Sequence, residues 1–255
     1  MTDDDLLRYS RHLLLDDLGI EGQARIGAAH ALVIGAGGLG SPVALYLGSA
    51  GLGRLTLADG DRVDLTNLQR QIAHDLSRVG QPKSASAARS IAAINPHVSV
   101  VALEERLEGE RLAARVAEAD VVLDCSDNFV TRHAVNAACV AHARPLVAGA
   151  AIAFDGQISV WDTRRPECPC YACAFPRDSG FEDVACSTLG VFAPLVGIVG
   201  SMQAAEALKL VAGIGSSLAG RLQMLDARRM EWTELRVERD PACPVCADRP
   251  AARST

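Results

Sequence analysis

Two groups of residues in this chain are spaced for chemistry. The first is cysteine, in the pairs Cys170-Tyr-Ala-Cys173 and Cys243-Pro-Val-Cys246. Two thiolates two residues apart can chelate one ion through a turn, and two such knuckles complete a tetrahedral zinc site with no position left open for catalysis. The pairs lie far apart in sequence, so the ion would staple the tail onto the body of the fold. Two redox-active or incidental pairs are the competing reading. Cys168 is close enough to compete as a ligand, but the C-x2-C spacing favours Cys170. Cys125 and Cys139 fall in strand-like and helix-like stretches and read as core packing. Cys186 stands in a loop just before a helix-like run, where a dipole lowers a thiol pKa. Position alone leaves it either a chemical group or an ordinary thiol.

The second group is charged and polar: Asp59, Asp61, Asn67, Arg70, Lys83, Asp127 and Asn128. Any one of them alone reads as a solvated surface group. Their meaning depends on a glycine turn upstream. The apolar run Ala31 to Ile34 ends in Gly35-x-Gly37-Gly38-x-Gly40 and passes into an Ala/Leu-rich stretch, the pattern of strand, tight turn and helix N-terminus. Gly35 permits the turn, Gly37 lets backbone N–H groups approach a phosphate, and Gly40 allows close helix–strand packing. The helix N-terminus adds roughly half a positive charge at the same spot. Asp59 ends the next apolar run, about 20 residues on, where a carboxylate accepts ribose hydroxyls.

By itself this fingerprint suggests NAD and an NAD-dependent oxidoreductase; a glycine turn serving only packing is the bland alternative. The charged set asks for more. All of its members fall at the carboxyl ends of expected parallel strands or just before a helix, the crevice in which doubly wound sheets bind ligands. Two cations and an extra carboxylate exceed what a dinucleotide needs. They suit a triphosphate, with Arg70 and Lys83 neutralising phosphates and Asp127 holding Mg²⁺.

The elements that must position these groups follow from periodicity and punctuation. Thr2 to Asp17 reads as a helix, with Thr2 and Asp5 spaced as a capping box; its charged residues, Arg11 among them, read as a solvent face. Strands are expected at Val98–Leu103, Val121–Cys125 and Pro145–Ala151, and helices at Lys83–Asn95, Glu108–Ala117 and Asn128–Ala143. This alternation predicts an α/β fold, a Rossmann-like doubly wound and mainly parallel sheet. Past residue 150 the pattern changes. Asp155-Gly156 suggests a hairpin turn, Thr163 to Ser187 a Pro/Cys-rich loop, and Gly190–Ala212 a buried helix kinked at Pro194. RLQMLD and TELRVE look like a closing antiparallel pair, an antiparallel C-terminal extension.

At 255 residues, 49% hydrophobic and 4% aromatic, the chain suits one large α/β domain with an aliphatic core. A net charge of −6 argues against nucleic acid as a partner. The sequence shows no apolar run of about 18 residues, the length that spans a membrane, and its acidic start is not that of a signal peptide. No membrane association and a cytoplasmic location are therefore expected, and there eight cysteines point to metal or chemistry rather than disulfides.

RYSR (Arg8 to Arg11), GAGGLGS, LADGDRVDLTNLQRQ, GQPKS, LDCSDN and the paired CYAC/CPVC together resemble the MoeB/ThiF/HesA family, bacterial relatives of ubiquitin-activating E1 enzymes. The resemblance spans nearly the whole chain, in order. It implies a single E1-like domain over residues 1–255: N-terminal helices in 1–28, a nucleotide-binding part in 29–152, and a carrier-binding, zinc-containing part in 153–255. The implied activity is ATP-dependent adenylation of the C-terminal Gly-Gly carboxylate of a MoaD- or ThiS-type ubiquitin-like sulfur carrier, with release of pyrophosphate, for molybdopterin or thiamine biosynthesis. The family's nucleotide contacts fall on Gly38, Asp59, Asn67, Arg70, Lys83, Asp127 and Asn128, with Asp127 as the Mg²⁺ carboxylate. Arg11 matches an arginine that the family's homodimers insert into the neighbouring subunit's ATP site, which revises its solvent-face reading. Cys186 matches a loop cysteine that in ThiF-like members links covalently to the activated carrier. Sulfur would come from a separate donor, such as a cysteine desulfurase or a rhodanese.

Overall fold

A computed structural model describes residues 1–177 and 189–249. Cys186 lies outside these residues. The centre of the fold is β1 (His30–Ile34), whose five residues are all buried. A strand covered on both faces has no solvent side to alternate with, so it reads as the continuous run HALVI. Strand β2 (Arg54–Ala58) and strand β4 (Val121–Asp124) flank it in parallel, β3 (Ser99–Leu103) lies outside β2, and β5 (Leu146–Ile152) lies outside β4. From β5 onward the sheet turns antiparallel through β6 (Asp155–Trp161), β7 (Arg221–Asp226) and β8 (Glu231–Arg236). The full order is β3-β2-β1-β4-β5-β6-β7-β8. The expected parallel sheet with an antiparallel extension is thus one continuous eight-stranded sheet.

Helices cover both faces. On one, Val43 and Leu47 of α4 (Gly40–Ser49) and Ile91 of α5 (Lys83–Ile94) share a core with Leu195, Val196 and Val199 of the helix Ala193–Ala212. On the other, Leu112 and Val116 of α6 (Gly109–Glu118) and Val135 of α7 (Phe129–Ala141) pack with Trp161 and Tyr171. Chain direction changes sides between β1 and β4. The carboxyl ends of these two strands therefore open the crevice where an α/β sheet takes its ligand.

Four sequence expectations change. Asp155 and Gly156 are not the hairpin turn: both lie in β6, paired with Ile152 and Ala151 of β5, and the chain reverses at Ala153 and Phe154. The N-terminal stretch is not one helix: α1 (Asp3–Arg8) and α2 (Ser10–Leu13) are separated at Tyr9, and α3 (Gly19–Ala28) follows. Tyr9 is buried and its hydroxyl accepts from Asn95 Nδ2 at 2.8 Å, so a tertiary anchor breaks the helix. The Thr2/Asp5 capping box is present. Pro194 produces no kink, because it lies in the first turn of Ala193–Ala212, where its missing N–H is not needed. That 20-residue helix is also long and apolar enough to cross a membrane, contrary to the sequence reading. Here it is a core helix: it packs on α4, β5 and β6, and its buried Glu206 accepts the Leu218 N–H at 2.8 Å. Among its described residues, the loop Thr163 to Ser187 contains one helical turn, α8 (Tyr171–Ala174).

Candidate active site

The glycine turn leaves β1 at Gly35, whose φ of +94° suits glycine, and a Cβ there would lie 2.9 Å from the Cys125 carbonyl oxygen. At Gly40 a Cβ would collide with the Gly35 carbonyl itself, so the turn can fold back into α4 only with hydrogen at that position. Strand β2 delivers Asp59 beside this turn. Its Oδ2 accepts the Ala36 N–H at 2.7 Å and its Oδ1 the Asp61 N–H at 2.7 Å. Asp59 thus clamps the turn, a task that its spacing did not reveal. Each of its oxygens keeps a lone pair for a ribose hydroxyl.

The segment after β2 forms a 3-10 turn, Leu65–Asn67, capped by the Asp64 carboxylate. Arg70 follows, its Nη1 donating to the Thr66 carbonyl at 3.3 Å. Lys83 opens α5 and is 7% exposed; its ammonium reaches Asp61 Oδ2 at 3.1 Å. Arg106 holds the other Asp61 oxygen at 3.0 Å. Burial raises the Asp61 pKa, but the hydrogen bonds from Arg106 and Lys83 outweigh it and hold the group below the usual carboxylate range. Across the crevice β4 ends at Asp124, and Asp127 stands exposed just beyond it. Asn128 is the N-cap of α7, its Oδ1 accepting the Thr131 N–H at 2.8 Å. Its carbonyl oxygen is therefore committed to the helix.

One cavity of about 1010 Å³ gathers these groups. It is lined by Gly35, Gly37, Gly38, Asp59, Asp61, Asn67, Arg70, Lys83, Asp127 and Asn128. Gly40 sits behind the turn and Arg11 is exposed on α2; neither is among the described lining residues. Sequence reasoning missed Gln71, Arg106 and Arg132, which also line the cavity. Gln71 stands next to Arg70, Arg132 lies one turn into α7, and Arg106 follows the carboxyl end of β3. The strand-end argument that selected Asp59 and Asp127 would also have reached Arg106. The cavity runs on over the antiparallel strands past Gly156, Gln157, Met224 and Thr233. It offers room for an extended chain to reach the phosphate end.

The four paired cysteines form a second centre. Their sulfurs all lie within 4.8 Å of one another, with Cys170–Cys173 at 4.0 Å, Cys170–Cys243 at 3.7 Å and Cys173–Cys246 at 3.5 Å. This set can hold a metal ion. Cys168 is not part of it; its carbonyl accepts from Arg249, which also donates to the Thr163 carbonyl and so ties the tail to the same loop. Asn136 of α7 donates its Nδ2 to Cys170 Sγ at 3.6 Å and accepts the Tyr171 N–H at 2.9 Å. Cys139 is fully buried and Cys125 nearly so; burial raises both thiols well above their ordinary range, as the packing reading requires.

With this geometry in place, comparison with known proteins is decisive. The ThiF family pattern matches residues 9–245. This chain belongs to the ThiF family. It is 46% identical over 246 residues to the sulfur carrier protein ThiS adenylyltransferase of Escherichia coli, covering 96% of this chain and 97% of that protein. It is 44% identical to the molybdopterin-synthase adenylyltransferase of the same organism, covering 96% and 98%. The sulfur carrier protein adenylyltransferase of Thermus thermophilus is also 44% identical, over 99% of this chain and 94% of that one. Among solved structures, E. coli MccB with AMPCPP and MccA shares the fold, with a TM-score of 0.84 at 22% identity over 97% of this chain and 75% of that one. The three relatives at 44–46% identity are adenylyltransferases by name. They give no support to the NAD-dependent oxidoreductase alternative, which also leaves Arg70, Lys83 and Asp127 without a task.

Proposed function

We propose that this chain is an ATP-dependent adenylyltransferase that activates the C-terminal Gly-Gly carboxylate of a MoaD- or ThiS-type ubiquitin-like sulfur carrier. The observation that carries this reading is the convergence of the glycine turn, Arg70, Lys83 and Asp127 on one cavity, in a chain whose relatives are named for this activity. In this reading the triphosphate lies over the glycine turn at the N-terminus of α4, and Asp59 takes the ribose. Arg70 and Lys83 hold the phosphates, with Asp61 keeping Lys83 in place. Of the carboxylates on the wall, Asp59, Asp61 and Asp127 stand with the glycine turn, Arg70 and Lys83, and such groups are the hard oxygen donors that a phosphate-bound Mg²⁺ takes one or two of. Asp127 is the one assigned to it. Bound there, the ion would offset phosphate charge.

The reaction joins two anions. A carrier carboxylate oxygen attacks the α-phosphorus while the bond from that phosphorus to the bridging oxygen breaks, and pyrophosphate leaves with the electron pair. The carboxylate is already ionised at pH 7, so no general base is required. What the chain's residues supply is charge neutralisation and in-line placement. The tail enters over the antiparallel strands. Residues 29–152 hold the nucleotide and 153–255 the carrier and the metal, within one domain.

Zinc is the ion assigned to the four cysteines. Zn–S bonds of about 2.3 Å in a tetrahedron put the sulfurs about 3.8 Å apart; three of the observed separations run from 3.5 to 4.0 Å, and all lie within 4.8 Å. Homodimerisation is supported by exposed Leu7, Leu14, Leu15 and Ile20 on the N-terminal segment, which also carries Arg11. A second copy covering this face would place Arg11 beside the neighbour's phosphates. Cys186 remains assigned as the thiol that links to the carrier in ThiF-like chemistry, with sulfur from a separate donor and a cytoplasmic setting. Pyrophosphate exchange into ATP tests the main reading. Exchange is expected only when a carrier ending in Gly-Gly is present; its absence with both carrier types would overturn the assignment.

A further inference from the structure

Three separate segments face the phosphate end of the cavity: the glycine turn, the stretch from Asn67 to Arg70, and the Lys83 end of α5. They meet at a buried residue that does not line the cavity. His74 is 7% exposed. Its Nε2 lies 2.9 Å from the carbonyl oxygen of Ala36 in the glycine turn, and its Nδ1 lies 2.9 Å from Ser86 Oγ on α5. Its own N–H donates to the Gln71 carbonyl at 3.1 Å, in the segment that carries Arg70.

The chemistry of these partners sets the proton. A carbonyl oxygen only accepts, so Nε2 must carry the hydrogen, and a neutral imidazole then offers Nδ1 to the Ser86 hydroxyl. Burial, the largest influence, lowers the pKa of His74 and favours this neutral form, against the opposing pull of the Ala36 bond. Ala36 is buried, and the peptide groups on its two sides are both held, its N–H by Asp59 and its carbonyl by His74. The turn cannot rotate at this residue without breaking one of the two bonds. Neighbouring bonds strap the His74 segment to α5: Ser90 Oγ donates to the Ala73 carbonyl at 2.6 Å, and Arg78 Nη1 to the Ser86 carbonyl at 2.6 Å.

We propose that His74 is a positioning residue that holds the glycine turn, the Arg70 segment and the Lys83 end of α5 in register, so that their phosphate-facing groups are pre-arranged when nucleotide enters. The proposal rests on the ATP reading given above. It accounts for a polar residue buried behind the phosphate site, and it locates preorganisation in a single imidazole.

Two substitutions separate the two ring nitrogens. His74→Gln places an amide N–H near Nε2 and can still donate to Ala36. His74→Asn reaches only the Nδ1 position, keeping Ser86 but leaving the Ala36 carbonyl bare. Calorimetric titration of the full chain with Mg²⁺ and α,β-methylene-ATP should show about tenfold weaker binding for His74→Asn, the usual scale for a buried acceptor left unpaired. His74→Gln should stay within about threefold of the unsubstituted chain by the same scale. Thermal melts of both variants should show cooperative unfolding. In exchange assays the Asn variant should raise KM for ATP and leave KM for the carrier unchanged. Imidazole ¹⁵N shifts should show a protonated Nε2 and a bare Nδ1. Equal nucleotide affinity in both variants, whether lost or kept, would overturn the proposal, as would the opposite tautomer. If the unsubstituted chain fails to bind the nucleotide, the ATP reading itself falls and takes the proposal with it.

Discussion

Lys83 is bound to Asp61 twice: its ammonium lies 3.1 Å from Oδ2, and its backbone N–H donates to the Asp61 carbonyl at 2.9 Å. With Arg106 on Oδ1, this one carboxylate sits between two cavity cations. A nucleotide entering the site therefore meets a lysine already turned toward the crevice, with its side chain 9% exposed.

This arrangement predicts a pH dependence with a definite sign. The folded-state pKa of Asp61 lies below its ordinary value of 3.8. Its contribution to stability is then present above pH 3.8 and is lost as pH falls through the lower, folded value. Asp61→Asn should lower Tm at pH 7, and the difference from the unsubstituted chain should shrink as the pH drops below 3.8. Because the carboxylate is half exposed, the effect should stay within about 1 kcal/mol. A difference that grows in acid would contradict the sign.

Asp127 is exposed on the cavity wall and carries no packing load. Asp127→Ala should reduce carrier-dependent pyrophosphate exchange by about a hundredfold or more, the scale set by losing one electrostatic stabiliser. Its melting curve should match that of the unsubstituted chain. Retained exchange would remove this residue from the metal site.

The cysteine cluster joins the tail to α8 and, through Asn136, to α7. Elemental analysis should find about one zinc per chain. A strong chelator should lower Tm, and Cys246→Ser should reproduce the loss without chelator. A folded, metal-free protein with an unchanged Tm would refute the staple.

Arg11 lies outside the described cavity lining of its own chain, so its proposed action needs a second copy. An equimolar mixture of Arg11→Ala and Asp127→Ala subunits should recover about a quarter of normal exchange if subunits pair at random, each mixed dimer rebuilding one intact site. No recovery in a verified mixed dimer would argue against a shared site.

Much of this was legible in the sequence, because the signals are local. Alternating strands and helices, the glycine turn, Asp59 at a strand end and the two C-x2-C knuckles are short-range patterns, and the structure places all of them as read. The sequence reading failed where a distant partner decided the outcome. Tyr9 interrupts the first helix because Asn95 holds its hydroxyl. Pro194 causes no kink because the helix begins at Ala193, so the proline falls in its first turn. The apolar Ala193–Ala212 run packs as a core helix because α4 and the sheet supply its other side.

Local pattern was enough for most of the element order, the glycine turn, the two cysteine pairs and the family. Periodicity, turn chemistry and ligand spacing are properties of a few consecutive residues. Which groups share a cavity and which stand behind it depends on the tertiary fold. Arg106 joins Lys83 on Asp61 across 45 positions of sequence, and His74 reaches Ala36 across 38. Such contacts exist because crossover connections return separate strand ends to one edge of the sheet, and no local pattern encodes where a returning chain will place its side chains.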